Sequence, residues 1–225
     1  MNKIELGGFP LMFLLSALIP AAALAGGSDQ VFKCRIDELH PTQLAVGMEE
    51  VREKEHKFKK MDGNELEKYE KENPEPVVAG PGGTLYIIDH HHLALALSEI
   101  GVNKTYCTEE ADYSSLGTSA FWAKMDEKKW VYAYDEYGVG PRPYSQIPSN
   151  VTGLKDDPYR SLAGAVRSAG GYDKTDKPFA EFKWADFFRN QFSRKDLNND
   201  FDGCVKKAVK LAHSSAASDL PGYQR

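Results

Sequence analysis

The stretch Gly83-Thr84-Leu85-Tyr86-Ile87-Ile88-Asp89-His90-His91-His92-Leu93-Ala94-Leu95-Ala96 decides the fold. Leu85 to Ile88 read as a strand. Asp89 and three histidines make a polar turn. Leu93, Ala94, Leu95, Ala96, Leu97 and Ile100 then continue as a helix that Gly101 stops. A strand therefore runs straight into a helix N-terminus. The first N–H groups of such a helix lack internal partners and carry the positive end of its dipole, which suits an anion. Imidazoles add hydrogen-bond donors, or an acid and base near neutral pH. Asp89 can orient a histidine or hold a cation. Adjacent histidines do not make a strong metal motif, because helical ligands pair at i, i+4. Three readings stay open at this turn: a phosphate or nucleotide site, a metal site, and packing or capping alone.

Working outward, Val77-Val78-Ala79 and the 85–88 run flank Gly80-Pro81-Gly82-Gly83, the pattern of a tight hairpin. Residues 31–36 alternate like a strand. A long polar helix is predicted from Pro41-Thr42, with Thr42 as its cap, to about Phe58, and a second over 64–71, ended by Pro74 and Pro76. Residues 105–108 and 131–134 are strand-like, and 115–130 helical. Residues 138–153 read as a loop. Helical patterns follow Pro158 and Pro178, over 159–169 and 179–192, and a last helix fits 205–214. A mixed front half and a helical back half predict an α+β fold.

The chain has 225 residues, 41% hydrophobic and 27% charged, with a net charge of −5. This excludes disordered and multi-span membrane classes and argues against a general phosphate-backbone binder. The charges are unevenly spread: the first 25 residues hold only Lys3 and Glu5. An apolar run over 11–19, then Pro20 and Ala21-Ala22-Ala23-Leu24-Ala25, has the layout of a signal peptide cleaved after Ala25. The run is too short for a comfortable membrane span. The expected product is secreted or periplasmic, with no stable membrane association after cleavage. Residues 26–30 read as a flexible tail. Cys34, Cys107 and Cys204 are too few for a disulfide framework. One pair or three unpaired buried thiols both fit.

Asp89-His90-His91-His92-Leu93 at a strand-to-helix turn resembles the signature turn of the ParB/sulfiredoxin superfamily. Arg35-Ile36-Asp37-Glu38-Leu39-His40-Pro41-Thr42-Gln43, followed by Val46-Gly47 and a charged helix, agrees. So do Phe121-Trp122-Ala123-Lys124-Met125, Asp157-Pro158-Tyr159-Arg160-Ser161-Leu162-Ala163, Gly170-Gly171-Tyr172 and the 178–187 run. Together they resemble the ParB-like nuclease group over about residues 31–190, which leaves 191–225 as a C-terminal helical extension. The resemblance implies a small mixed sheet with flanking helices and a turn that binds nucleotide phosphates. By position, Asp89, His90, His91 and His92 take over that turn and its chemistry. The superfamily usually places an Arg after the paired residues, and Leu93 stands there instead. No Cys occupies the turn, so sulfinic-acid reduction does not carry over. No helix-turn-helix module follows, so neither does chromosome partitioning.

Arg160 and Arg167 lie seven apart on one predicted helix, share a face, and can supply the cation that Leu93 does not. The alternative is a solvated helix edge. Gln43 is placed either to hydrogen-bond a substrate or to cap. The aromatic-rich segments around Trp122, Trp130 and Trp184 suit core packing. Residues 198–203 half-match a calcium loop but lack its closing Glu; a capping turn explains them more simply. The expected function is an exported nuclease or phosphodiesterase. Its phosphate sits on the 89–92 turn, a histidine acts as acid or base, and Asp89 is a candidate ligand for a divalent ion. A non-catalytic phosphate- or nucleotide-binding module is the alternative, and a small-molecule kinase or phosphohydrolase a weaker one.

Overall fold

The computed structural model describes residues 30–225, so the signal-peptide expectation lies outside the described residues. The elements run β1 (Val31–Arg35), β2 (Ala45–Val46), α1 (Met48–Phe58), α2 (Gly63–Glu72), β3 (Glu75–Ala79), β4 (Leu85–Ile87), α3 (His91–Glu99), β5 (Lys104–Asp112) and α4 (Thr118–Glu127). Then follow β6 (Lys155–Asp156), α5 (Pro158–Ser168), α6 (Ala180–Arg189), α7 (Arg194–Asn199) and α8 (Phe201–Ala212). The main sheet has the order β1-β5-β3-β4, antiparallel at its two outer pairs and parallel between β3 and β5. A small mixed sheet with flanking helices and a helical back half is the α+β architecture the sequence predicts.

The β3–β4 hairpin forms as expected. The residue-40 segment covers the far side of β4, exchanging backbone hydrogen bonds with Leu85 and Ile87. Under the sheet, α1 and α3 close one core around Leu39, Val51, Phe58, Val77, Ile87 and Leu97. A second core joins α5, α6, α7 and α8 through Leu162, Val166, Trp184, Phe188, Leu197 and Ala208. The Trp184 indole N–H donates to the Pro221 carbonyl at 2.8 Å, and Tyr172 bridges to Tyr223. The last residues of the chain therefore pack into the same core as α5 and α6.

Cys34 on β1 and Cys107 on β5 form a disulfide, and Cys204 is buried and free. Among the described residues no helix is long and apolar enough to cross a membrane. Asp200 caps α8 by accepting from the Gly203 N–H, so the 198–203 run is a capping turn.

Two sequence expectations are corrected. The first helix begins at Met48, not Thr42. The Thr42 hydroxyl donates to the Ile87 carbonyl and its N–H to His91, while Ala45 and Val46 pair with β6. These bonds hold residues 42–46 extended. Residues 131–134 form no strand; only Tyr132 bridges, to Gln43. The sequence reading places no helix over 194–199; α7 forms there because a Ser193–Asp196 capping box, rather than apolar periodicity, defines this short polar segment.

Candidate active site: a cleft over the histidine turn

His90 stands where the chain leaves β4 and enters α3. It adopts the left-handed conformation, φ 59°, and acts as the N-cap. That turn separates the three imidazoles. His91 is buried, and its Nε2 accepts the Thr42 N–H at 3.0 Å. His92 is buried too, and its Nε2 accepts the Gly47 N–H at 3.1 Å. Both rings staple the 42–47 segment to α3. Gly47 has to be small: a Cβ there would lie 2.6 Å from the Ser161 nitrogen at the start of α5.

His91 and His92 were expected to share the chemistry. Their Nε2 atoms are instead occupied by backbone donors inside the protein, so neither is free to exchange a proton there with a ligand. His90 differs. Its Nδ1 faces the Pro74 carbonyl at 3.2 Å, so Nδ1 carries the proton and Nε2 is the lone-pair nitrogen. No described residue bonds Nε2, and His90 lines an open cleft.

That cleft has a volume of about 730 Å³. It brings together Gln43, Asp89, His90, His92, Arg160 and Arg167, every predicted site residue except His91. Seven Lys and Arg side chains line it against five acidic ones, a local basic excess in an acidic chain. Arg160 and Arg167 do share a face of α5. Arg160 is no solvated edge: it is 8% exposed, with its guanidinium 5.3 Å over the Phe182 ring. Both arginines pair with Glu181 in the first turn of α6. Two Arg160 donors, Nε and Nη1, have no hydrogen-bond partner among the described residues. Burial lowers its pKa below the ordinary arginine value, with Glu50 opposing that shift; arginine still stays charged.

Asp89 accepts the His90 N–H at 2.8 Å, and among the described residues no three His, Cys, Asp or Glu side chains are placed to hold a metal ion. Glu181 escaped sequence reading because a lone acid early in a helix looks solvated. The available signal was the i, i+7 arginine pair on α5, which needs an anion.

Burial also sets the pH response. It pushes His91 down to about 3 and His92 well below its ordinary value. Both are neutral when folded and charge on unfolding below about pH 6.5. Stability is therefore lost as pH falls from about 6.5. Burial raises Glu75, whose two carboxyl oxygens are unpartnered, well above its ordinary value, and Glu70 to about 7. These are neutral when folded and ionise on unfolding above about pH 4.5, so stability is lost as pH rises from there. The urea midpoint should peak between about pH 4.5 and 6.5 and fall on both sides. A flat midpoint from pH 4 to 8 would contradict this balance.

Comparison with known proteins agrees with the fold. A family described as "Putative ParB-like nuclease" matches residues 32–190. The crystal structure of protein Atu1540 from Agrobacterium tumefaciens aligns with a TM-score of 0.80 at 44% identity, covering 87% of this chain and 98% of that one. No curated protein matches the chain.

Proposed function

This chain belongs to the ParB-like nuclease family, and we propose that it is a phosphodiesterase working in the cleft over the histidine turn. One observation carries the reading: His90, with its Nε2 free, and Arg160, whose buried Nε and Nη1 donors lack partners, line the same cleft at the N-terminus of α3. A phosphodiester seats its non-bridging oxygens against Arg160 and the His91 and His92 backbone N–H groups. His90 Nε2 takes a proton from a water that attacks phosphorus. The phosphorus–oxygen bond to the leaving group breaks, and that oxygen takes a proton from solvent. Gln43 and Arg167 help to orient the ester, and His92 holds the loop beneath it. Arg160 thus stands in for the cation that Leu93 does not supply.

A binding module without turnover is the second reading. The Glu181 carboxylate favours it, because it already occupies both arginines. Hydrolysis of bis(p-nitrophenyl) phosphate by the purified protein separates the two. Turnover supports the first reading, and saturable phosphate binding without turnover supports the second. In either case Glu181 competes with an incoming anion. Glu181→Gln should tighten inorganic phosphate binding on the order of tenfold, read by calorimetry. Weaker binding in that variant would mean that Glu181 serves to hold the arginines in place.

We also propose that the protein works outside the cytosol. The Cys34–Cys107 disulfide supports this, since such bonds persist in oxidising compartments.

A further inference from the structure

A second recess adjoins the cleft. It encloses about 430 Å³, within the range of small-molecule sites. Tyr132, Tyr134, Tyr144 and Phe179 line it, with Lys129 and Lys183 beside them. Lys129, Pro178 and Phe179 belong to both linings, so the recess and the cleft share a wall. The two spaces differ in chemistry: the cleft is rich in charge, the recess in aromatic rings.

The rings are fixed by packing. Tyr132 stacks with Tyr134 at 4.6 Å and with Phe182 at 3.9 Å. Tyr144 stacks on Trp122 at 4.8 Å, which locks its plane from below. Phe182 in turn lies under the Arg160 guanidinium. A continuous aromatic path therefore runs from the anion-binding arginine to the recess. Rings already held in place accept a flat ligand with little loss of side-chain freedom.

We propose that this recess is a base-stacking subsite, so that the ligand of the cleft is single-stranded nucleic acid with one unpaired base in the recess and its phosphate at Arg160. The proposal rests on the phosphodiester reading above and names its substrate class. Stacking on aromatic side chains is insensitive to base identity, because every base has a π-face. A paired base would first have to leave its duplex stack, which costs a few kcal/mol, so single strands are preferred over duplex.

The test compares two fluorescent probes of equal length and equal backbone charge: an octathymidylate and an abasic octadeoxynucleotide. Equilibrium binding to the wild-type protein is read by anisotropy in the cold, with probe integrity checked afterwards. The octathymidylate should bind about tenfold tighter. Tyr144→Ala should bring it to the abasic level, and Tyr144→Phe, which keeps the ring, should restore the advantage. Equal affinity of the two probes for the wild-type protein overturns the stacking subsite and leaves the phosphate site standing. Failure to bind either probe overturns both. Duplex octamer binding as tight as the single strand also overturns the proposal.

Discussion

Replacing His90 with asparagine should lower phosphodiester turnover by about 10²–10⁴-fold, the usual contribution of a positioned general base. The choice of substitution matters. His90 sits at φ 59°, where most side chains are strained and asparagine is tolerated. Asparagine therefore keeps the turn and removes the Nε2 lone pair. Thermal unfolding of the variant should match the wild type within a few degrees, while kcat on bis(p-nitrophenyl) phosphate collapses. His91→Ala and His92→Ala should do the reverse. Each removes a buried acceptor from a backbone N–H and leaves a cavity, so stability falls by about 2–5 kcal/mol. Any loss of turnover there should track loss of fold. Unchanged kcat in His90→Asn would remove His90 from the mechanism.

Removing the disulfide should have the largest effect on stability. Cys34 and Cys107 are 73 residues apart, and together they tie edge strand β1 to β5. Loop-closure entropy for a ring of that length gives about 4 kcal/mol, near the top of the observed range. Domains of this kind hold only about 5–15 kcal/mol in all. Cys34→Ala with Cys107→Ala should therefore shift the urea midpoint strongly, as should treating the wild type with a thiol reductant. The double variant should be insensitive to that reductant. A reductant effect on the double variant would point to some other target. An unchanged midpoint after reduction of the wild type would show that β1 is held by its strand pairing alone.

The hairpin and the strand-to-helix turn were legible because their signals are local. Glycines mark the turn at 80–83, and an apolar run changes period across Asp89. The arginine pair on α5 was legible for the same reason, as a spacing. What the sequence could not show was which bonds compete for a residue. Thr42 looks like a helix cap until His91, 49 residues away, takes its N–H. Likewise, the three histidines are equal as letters. Only the left-handed turn at His90 leaves one ring with a free Nε2 in the cleft and ties the other two to backbone donors. Glu181 and the aromatic recess depend on how α6 lies against α5, a matter of tertiary packing. Tyr132 has the β-propensity of a strand residue, yet it makes a single bridge, to Gln43, that its neighbours do not extend into a strand.

One consequence follows from the way the final residues enter the second core. Arg160 is held on α5, and α5 is backed by α8, while Pro221 holds Trp184 of α6 and Tyr223 bridges to Tyr172. During synthesis the sheet, the histidine turn and α5 all emerge before those supports. A nascent chain can therefore fold its front half before α8 and the residues after it complete the packing behind α5. The firmness with which Arg160 is held thus depends on residues far from the histidine turn in sequence.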